Sequence, residues 1–258
     1  MRDERTTAGE RILEHMAPGQ VQRLAAALEA VAPDMVRFVV DFGYGDVLSR
    51  PGLDLRSRQV ATVAALAGLG TAREQLAFHV GASLTAGLSP AELVETAYLV
   101  TVFAGFPAGL NALAVMREVF TARGVAVDKG SLYDPSLPGR RERGLAALEA
   151  TSKGAGRKVI ESLADIAPDF AGFILDFSYG DVISRRILSP AHKEIAMIAV
   201  AAARGTMRPQ LMVHIHAALA VGVERAQVVE VLVQMAGYAG FPAALNALEA
   251  AREAFGQA

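Results

Sequence analysis

The polar and apolar positions along the chain follow the period of an α-helix. Within 76–84, residues recur at i, i+3, i+4, i+7 and i+8, which places them on one helix face. Gly87 ends this predicted helix. Ser89-Pro90-Ala91-Glu92 begins the next one, with an N-cap serine, a proline at the first helical position and a glutamate that can close a capping box. Alternating strand patterns between hairpin turns are missing, so the sequence predicts an all-α fold.

Two long apolar segments are predicted to be buried helical hairpins and not membrane spans. Residues 96–116 carry no charge, and a segment of this length could span a bilayer. However, Gly105-Phe106-Pro107 interrupts it and Asn111 follows, which indicates two helices that meet at a turn. Gly240-Phe241-Pro242 interrupts residues 231–248 in the same way. We therefore expect no contact with a membrane.

The chain contains an internal duplication in constant register. AGFPAGLNAL at 104–113 recurs as AGFPAALNAL at 239–248, and DFGYGDVLSR at 41–50 recurs as DFSYGDVISR at 176–185. Each pair is offset by 135 positions, and 12 of the 20 residues in 31–50 are identical in 166–185. A repeat that cannot cover its own apolar face is expected to pack on its copy. The sequence therefore predicts two tandem units, with about six or seven helices each, arranged as a pseudo-twofold pair.

The boundaries of the two units follow from composition. Residues 1–123 form the predicted first repeat and 143–258 the second. Between them, 124–142 has the Gly, Pro and polar composition of a linker. The basic run at 140–143 is interpreted as the solvated end of that linker.

Charge and cysteine content exclude several classes of function. The chain of 258 residues has 25 basic and 27 acidic residues and no basic stripe, which argues against a nucleic-acid partner. Because cysteine is absent, thiol catalysis, disulfides and thiolate metal sites are excluded. The charged N-terminus does not have the pattern of a signal peptide, so we expect a soluble, cytoplasmic protein.

Two of the five histidines are candidates for chemistry. His79 and His214 are 135 positions apart and lie on the apolar face of equivalent predicted helices. Each is either a core histidine with a satisfied hydrogen bond or a proton donor and acceptor in an apolar cleft. His214 and His216 point to nearly opposite faces of a helix, so they cannot share a metal ion, and we predict no metal site.

Glu194 is a further candidate for acid–base chemistry. It lies near the start of a helix, where a carboxylate can simply face the helix dipole, or it can be the acid–base partner of His214. The first repeat has Gln59 at this position, and an amide cannot transfer a proton. This difference predicts that the two repeats are chemically unequal.

A second candidate set follows a short motif that both repeats contain. Its members either fix a helix end or bind substrate, with the arginines suited to hold a carboxylate. The residues are Tyr44, Asp46 and Arg50 in the first repeat and Tyr179, Asp181 and Arg185 in the second. Tyr238 is added as a binding candidate, because Phe103, its counterpart in the first repeat, has no hydroxyl.

Three stretches resemble the carboxymuconolactone decarboxylase family. They are GDVLSRPGLDLRSRQ at 45–59, the histidine-containing helix from His79 to Gly87, and YAGFPAALNAL at 238–248. The likeness covers nearly the whole of each repeat. It implies an alkylhydroperoxidase D-like helical unit that pairs and forms rings of six, and hence a homotrimer of tandem chains.

The resemblance also bears on the chemistry. Alkylhydroperoxidase D, in the same superfamily, depends on a CxxC pair and a following histidine. The matching stretches near 72–76 and 207–211 hold no cysteine, so a thiol peroxidase is excluded. The glutamate and histidine that accompany that motif fall near Glu194 and His214.

Family chemistry implies a carboxy-lyase like 4-carboxymuconolactone decarboxylase, which removes CO2 from a lactone acid and needs no cofactor. Such a site requires a dry pocket, a donor for the developing oxyanion and a proton source. By this resemblance, His79 or His214 would supply the proton and Arg50 or Arg185 would orient the acid. Leu48 stands where the family commonly has Trp, and RRILSPAHK replaces RPGLDLRSR in the second repeat, which leaves the substrate open.

Three functions remain in competition. The first is a cofactor-independent enzyme that acts on a small carboxylated lactone or related carbonyl compound. The second is a non-catalytic ligand-binding or scaffold protein, in which Phe103 and Leu48 fill the old pocket. The third is a lyase, isomerase or cyclase of secondary metabolism that uses the same histidine as a base.

Overall fold

The computed structural model describes residues 3–127, 136–152 and 154–256. All of the regular structure in these residues is helical, and none of them forms a strand. The predicted all-α fold is therefore confirmed. Within the same residues no helix combines the length and apolarity needed to cross a bilayer.

Within the described residues, each repeat contributes seven α-helices and one π-helical segment of matching position. The first repeat consists of α1 (Glu4–Met16), α2 (Gln20–Leu28), α3 (Pro33–Arg37), the first π segment (Phe38–Leu48), α4 (Leu55–Leu69), α5 (Arg73–Thr85), α6 (Pro90–Ala104) and α7 (Phe106–Arg123). The second consists of α8 (Arg140–Ser152), α9 (Ala155–Glu161), α10 (Pro168–Phe173), the second π segment (Ile174–Ile183), α11 (Pro190–Arg204), α12 (Arg208–Ala220), α13 (Arg225–Gln234), a short 3₁₀ turn (Met235–Gly237) and α14 (Phe241–Gly256).

Helix ends follow the predicted signals. The Ser89 side chain accepts a hydrogen bond from the Glu92 backbone N–H, and the Glu92 side chain accepts one from the Ser89 backbone N–H. The capping box of α6 is therefore present. Gly105 ends α6 with φ of 89°, a conformation that favours glycine, and α7 begins at the next residue. The long apolar segment is thus two helices joined by a tight turn, as predicted.

The two repeats share one core, built around α4 and α11. These two helices pack side by side and are buried along almost their whole length. Their many alanines, and Gly68 against Val200, allow the backbones to approach closely. Ser57 and His192, which are counterparts in the duplication, touch directly, with Oγ 3.1 Å from Nε2. The contact of two equivalent positions marks the pseudo-twofold axis.

Ion pairs between the repeats repeat the same symmetry. Arg50 of the first repeat bonds to Glu230 of the second at 2.7 Å, and Arg185 of the second bonds to Glu95 of the first at 2.8 Å. Arg58, which is fully buried, also donates to Glu230, at 2.8 Å. A buried charge is tolerated only when it is paired in this way, so these contacts fix how the repeats dock.

Glycines allow α1 and α8 to cross the π segments at backbone contact. A Cβ on Gly9 would lie 2.1 Å from the Val40 carbonyl oxygen. A Cβ on Gly144, its counterpart, would lie 2.1 Å from the Leu175 carbonyl oxygen. Any side chain at either position would therefore separate the helix from its π segment.

The structure corrects the interpretation of the basic run at 140–143. These residues form the first turn of α8, three residues inside the predicted linker. They pair with acidic residues of the second π segment: Arg141 with Asp176, and Arg143 with Asp181 at 3.4 Å. The charges are regular helix positions that hold α8 in place. Residues 128–135 of the predicted linker lie outside the described part of the chain.

Candidate active site

His79 lies on α5 with its ring directed into the interior. Its Nδ1 is 3.0 Å from Oε1 of Gln59 on α4, and the side chain is almost completely buried. With the amide oxygen facing Nδ1, the ring proton resides there and donates to Gln59. Nε2 is then left as a proton acceptor. Gln59 therefore selects the tautomer of His79.

Tyr238 reaches this imidazole from the other repeat. It follows the 3₁₀ turn after α13, and its hydroxyl lies 3.3 Å from Nε2 of His79. The two rings meet edge to face, with centroids 5.2 Å apart. The hydroxyl donates to Nε2, so the site contains side chains of both repeats.

Burial keeps these groups neutral. It lowers the pKa of His79 from 6.5 to about 3. It raises the pKa of Tyr238 to about 12, although a hydrogen bond with Thr62 and the charge of Arg58 oppose the change. The pKa of Tyr44 is raised too, by burial first and by Tyr238 second. At neutral pH the site therefore offers a neutral base beside two neutral hydroxyl donors.

A cleft of about 660 Å³ opens beside His79, where the first π segment faces the end of α13. Leu48 and Phe78 are among its apolar lining residues, and Tyr44 and Tyr238 line it with their rings. Its volume lies in the range of small-molecule sites. The described lining residues include no lysine or arginine, so a bound carboxylate would meet no cation there.

The second imidazole has different partners. Nδ1 of His214 on α12 lies 2.8 Å from Oε2 of Glu194 on α11, and both side chains are buried. The Phe103 ring packs edge-on against His214 at 5.0 Å, where Tyr238 stands in the first site. The pKa of Tyr179 is raised to about 12, by burial and then by the Glu194 charge, against a hydrogen bond with Thr151.

The two imidazoles thus have different partners. Gln59 and Glu194 each contact the Nδ1 atom of their histidine, so one imidazole is held by an amide and the other by a carboxylate. His216 points away from this centre, and its Nε2 is 3.0 Å from the Ala254 carbonyl oxygen. Within the described residues no group of three or more histidine and acidic side chains could hold a metal ion.

The arginine and aspartate candidates lie elsewhere. Arg50 uses both Nε and Nη2 on Glu230, so its guanidinium is already neutralised and does not line the His79 cleft. Asp46 pairs with Arg5 at 2.7 Å, on the side of α1. The expectation that Arg50 holds a substrate acid at this imidazole is not met by the geometry.

In the second repeat the equivalent arginine and aspartate are also bound to other side chains of the fold. Arg185 donates from Nε to Glu95, and Asp181 receives Arg143. Arg185 lines a separate cavity that contains neither His79 nor His214. The structure therefore does not bring either residue to an imidazole.

Sequence reasoning missed the acids that engage these arginines. Glu95 and Glu230 are buried and lie 135 positions apart on otherwise apolar helices. A charge that is kept in both copies of an apolar helix was a usable signal, because a buried carboxylate needs a cationic partner. Burial alone would raise the pKa of Glu230, but hydrogen bonds from Arg50 and Arg58 outweigh it and hold the pKa below its usual value.

Comparison with known proteins agrees with the duplication. The model of the carboxymuconolactone decarboxylase family matches residues 33–118 and again 168–253. The 4-carboxymuconolactone decarboxylase of Acinetobacter baylyi is 33% identical over 116 residues, which is 45% of this chain and 86% of that protein. Peroxisomal protein 2 of Schizosaccharomyces pombe is 30% identical over 169 residues, 62% of this chain and 71% of that protein.

A solved structure covers nearly the whole molecule. It is a crystal structure from Burkholderia xenovorans, assigned as a gamma-carboxymuconolactone decarboxylase subunit. It is 26% identical to this chain, with a TM-score of 0.60, and the match covers 96% of this chain and 97% of that one.

Proposed function

Because the chain belongs to the carboxymuconolactone decarboxylase family, we propose that it is a cofactor-independent carboxy-lyase acting on a small carboxylated lactone or related carbonyl compound. The observation that carries the proposal is the neutral His79–Tyr238 pair beside an apolar cleft of about 660 Å³. Such a cleft places largely apolar walls beside the hydrogen-bonding groups that loss of CO2 requires.

The chemistry assigns a role to each group. Loss of CO2 breaks the bond between the carboxylate and the adjacent carbon, and the electron pair spreads towards the substrate carbonyl. The Tyr238 hydroxyl donates a hydrogen bond to the oxygen on which charge develops. Nε2 of His79 accepts a hydrogen bond from that hydroxyl beforehand and so orients it. One proton from water, delivered through the Tyr238 hydroxyl, then replaces the departed CO2 on carbon, and the hydroxide that remains combines with CO2 to give bicarbonate.

The absence of a cation from the described lining is consistent with this reaction. A carboxylate bound beside apolar walls and the acidic Glu74 is poorly stabilised, whereas the dispersed charge of the transition state suffers less from these surroundings. Binding in this cleft therefore favours departure of CO2. His79 is an acceptor in this scheme and not the acid, because the pKa of its imidazole is about 3.

The open cleft supports an enzyme over a scaffold. Leu48 forms part of the wall and leaves the space beside His79 free. Phe103, in contrast, packs against His214, so the second site has an apolar ring in place of the Tyr238 hydroxyl. A lyase, isomerase or cyclase could use the same base, and the substrate screen below separates it by whether CO2 is released.

The experiment is a screen of the purified full chain against carboxylated lactones and polyketide-like acids, with CO2 release as the readout. His79→Gln is expected to reduce turnover by about 100-fold or more, and His214→Gln is the matched variant in the other repeat. Loss of turnover in His214→Gln alone would refute the assignment to His79. Equal turnover in both variants would refute histidine catalysis altogether.

We also propose the homotrimer of tandem chains, the cytoplasmic location and the repeat boundaries given above. The first is supported by four phenyl rings that are more than half exposed and occur as two symmetric pairs: Phe38 with Phe173, and Phe106 with Phe241. Apolar patches of this kind on a protein surface mark interfaces. Sedimentation velocity of the full chain tests the stoichiometry, and a monomer would contradict it.

A further inference from the structure

A second cavity, of about 450 Å³, is lined by three arginines and lies apart from both imidazoles. It is bounded by the start of α8, by residues 137–138 and by the turn that follows the second π segment. Arg143, Arg185 and Arg186 line it, together with Glu95 and Glu142. A concavity that gathers several guanidinium groups is a candidate ligand site.

Arg185 is held so that part of its guanidinium remains available. Its Nε donates to Glu95 at 2.8 Å, and the group stacks over the Tyr98 ring at 5.2 Å, which leaves the side chain 11% exposed. Within the described residues, its two terminal nitrogens have no partner. No buried side-chain nitrogen or oxygen in that part of the chain is left unpaired, so these nitrogens must be accessible, and the accessible space beside them is the cavity.

The counterpart in the first repeat is used differently. Arg50 bonds to Glu230 through Nε and Nη2, and its side chain is 47% exposed. Glu95 accepts from Arg185 through one oxygen only, and its second oxygen accepts from the Leu188 backbone N–H at 2.7 Å. Within the described residues, only the second repeat has a guanidinium that is largely enclosed and still left with donors that have no partner.

The other two arginines of the lining have no arginine counterpart in the first repeat. Arg143 and Arg186 correspond to Ala8 and Pro51 in the first. Arg143 is fixed by bonds to the Pro138 and Gly180 carbonyl oxygens and lies 3.4 Å from Asp181. Arg186 is exposed and forms no ion pair within the described residues.

We infer that this cavity binds a small anion, through a carboxylate or phosphate group. The free nitrogens of Arg185 form the fork that such oxygens accept in pairs, and Arg186 supplies the charge. Glu142, an exposed acid of the lining, disfavours a ligand that carries a second anionic group. This site is independent of the chemistry proposed at His79.

The test is calorimetric titration of the full chain, at low ionic strength, with sodium phosphate in one arm and sodium acetate in the other. Binding is expected in at least one arm, and the arm that responds identifies the anion. Arg186→Gln is expected to weaken it by about tenfold, with an unchanged circular dichroism spectrum. Arg185→Lys, which keeps the charge but loses the fork, is expected to weaken it by a similar factor.

The matched control is Arg117→Gln, which removes an exposed arginine of α7 that does not line the cavity. It is expected to bind as the wild type does. No binding in either arm, or equal affinity in wild type and Arg186→Gln, would overturn the inference. An equal loss in Arg117→Gln and Arg186→Gln would also overturn it, because that result indicates a response to net charge alone. This test is separate from the test of the proposed function, which measures turnover in the His79 and His214 variants.

Discussion

Replacement of His79 by asparagine should flatten the dependence of stability on pH. The imidazole is buried and its pKa is lowered to about 3, whereas in the unfolded chain it is near 6.5. Between these values the unfolded chain binds a proton that the folded chain does not. The stability of the folded state is therefore complete above pH 6.5 and is lost as the pH falls towards 3.

The magnitude follows from the two pKa values. The loss approaches about 1.4 kcal/mol per pH unit once the pH is well below 6.5, and amounts to about 2 kcal/mol between pH 7.5 and pH 5. In His79→Asn, the side-chain amide can still donate to Gln59 Oε1 but does not titrate. The variant is expected to be less stable at pH 7.5, because packing is lost, but to lose about 2 kcal/mol less between pH 7.5 and pH 5.

The assay is urea denaturation followed by circular dichroism at pH 7.5, 6 and 5. The control is His15→Asn, which makes the same change at an exposed position of α1 and should follow the wild-type curve. Other buried histidines contribute equally to wild type and variant, so the difference between the two curves isolates His79. Parallel curves would refute the reasoning, because they would mean that the folded protein lets His79 take up a proton.

Four further predictions test the site and the fold. Because the pKa of His79 is about 3 and that of Tyr238 about 12, kcat/KM should be flat from about pH 5 to 9. A change in kcat/KM near pH 6.5 would contradict this, because it would point to another titrating group. Tyr238→Phe should lower kcat/KM by about 100-fold. Glu230→Gln leaves the buried Arg58 without its counter-charge and should lower the free energy of unfolding by about 3 kcal/mol; unchanged urea denaturation would contradict this. Gly9→Ala should cost about 2 kcal/mol or more in the same assay, whereas Gly43→Ala, where a Cβ meets nothing within 4 Å, should stay within about 0.5 kcal/mol.

Much of the site was visible in the sequence as a set of residues, but not as an arrangement. The constant offset of 135 singled out His79 and His214, and the change of Gln59 to Glu194 at equivalent positions predicted unequal repeats. Both expectations agree with the geometry, because Gln59 and Glu194 each contact the Nδ1 of their own histidine. In each repeat the histidine lies 20 residues after its partner, on the next helix along the chain. This spacing is the same in both repeats.

The arginines show where such reasoning fails. A short motif with tyrosine, aspartate and arginine within two turns predicted a local set that binds substrate. In the structure Arg50 bonds to Glu230, 180 positions away, and Asp46 bonds to Arg5. Local spacing could not reveal these partners, because a charged side chain pairs with whichever opposite charge the docking of the repeats brings near.

By itself the sequence determined the helical class, the duplication and the family, because period, caps and repeated segments are local properties that the chain carries wherever it folds. Only the tertiary structure decided which repeat completes which site. Tyr238 is 159 positions from His79 and reaches it because the two repeats pack around a common core. That packing also creates the cleft between the repeats and removes the water that would otherwise keep the pKa of His79 near its usual value. Neither property can be predicted from the local pattern of residues.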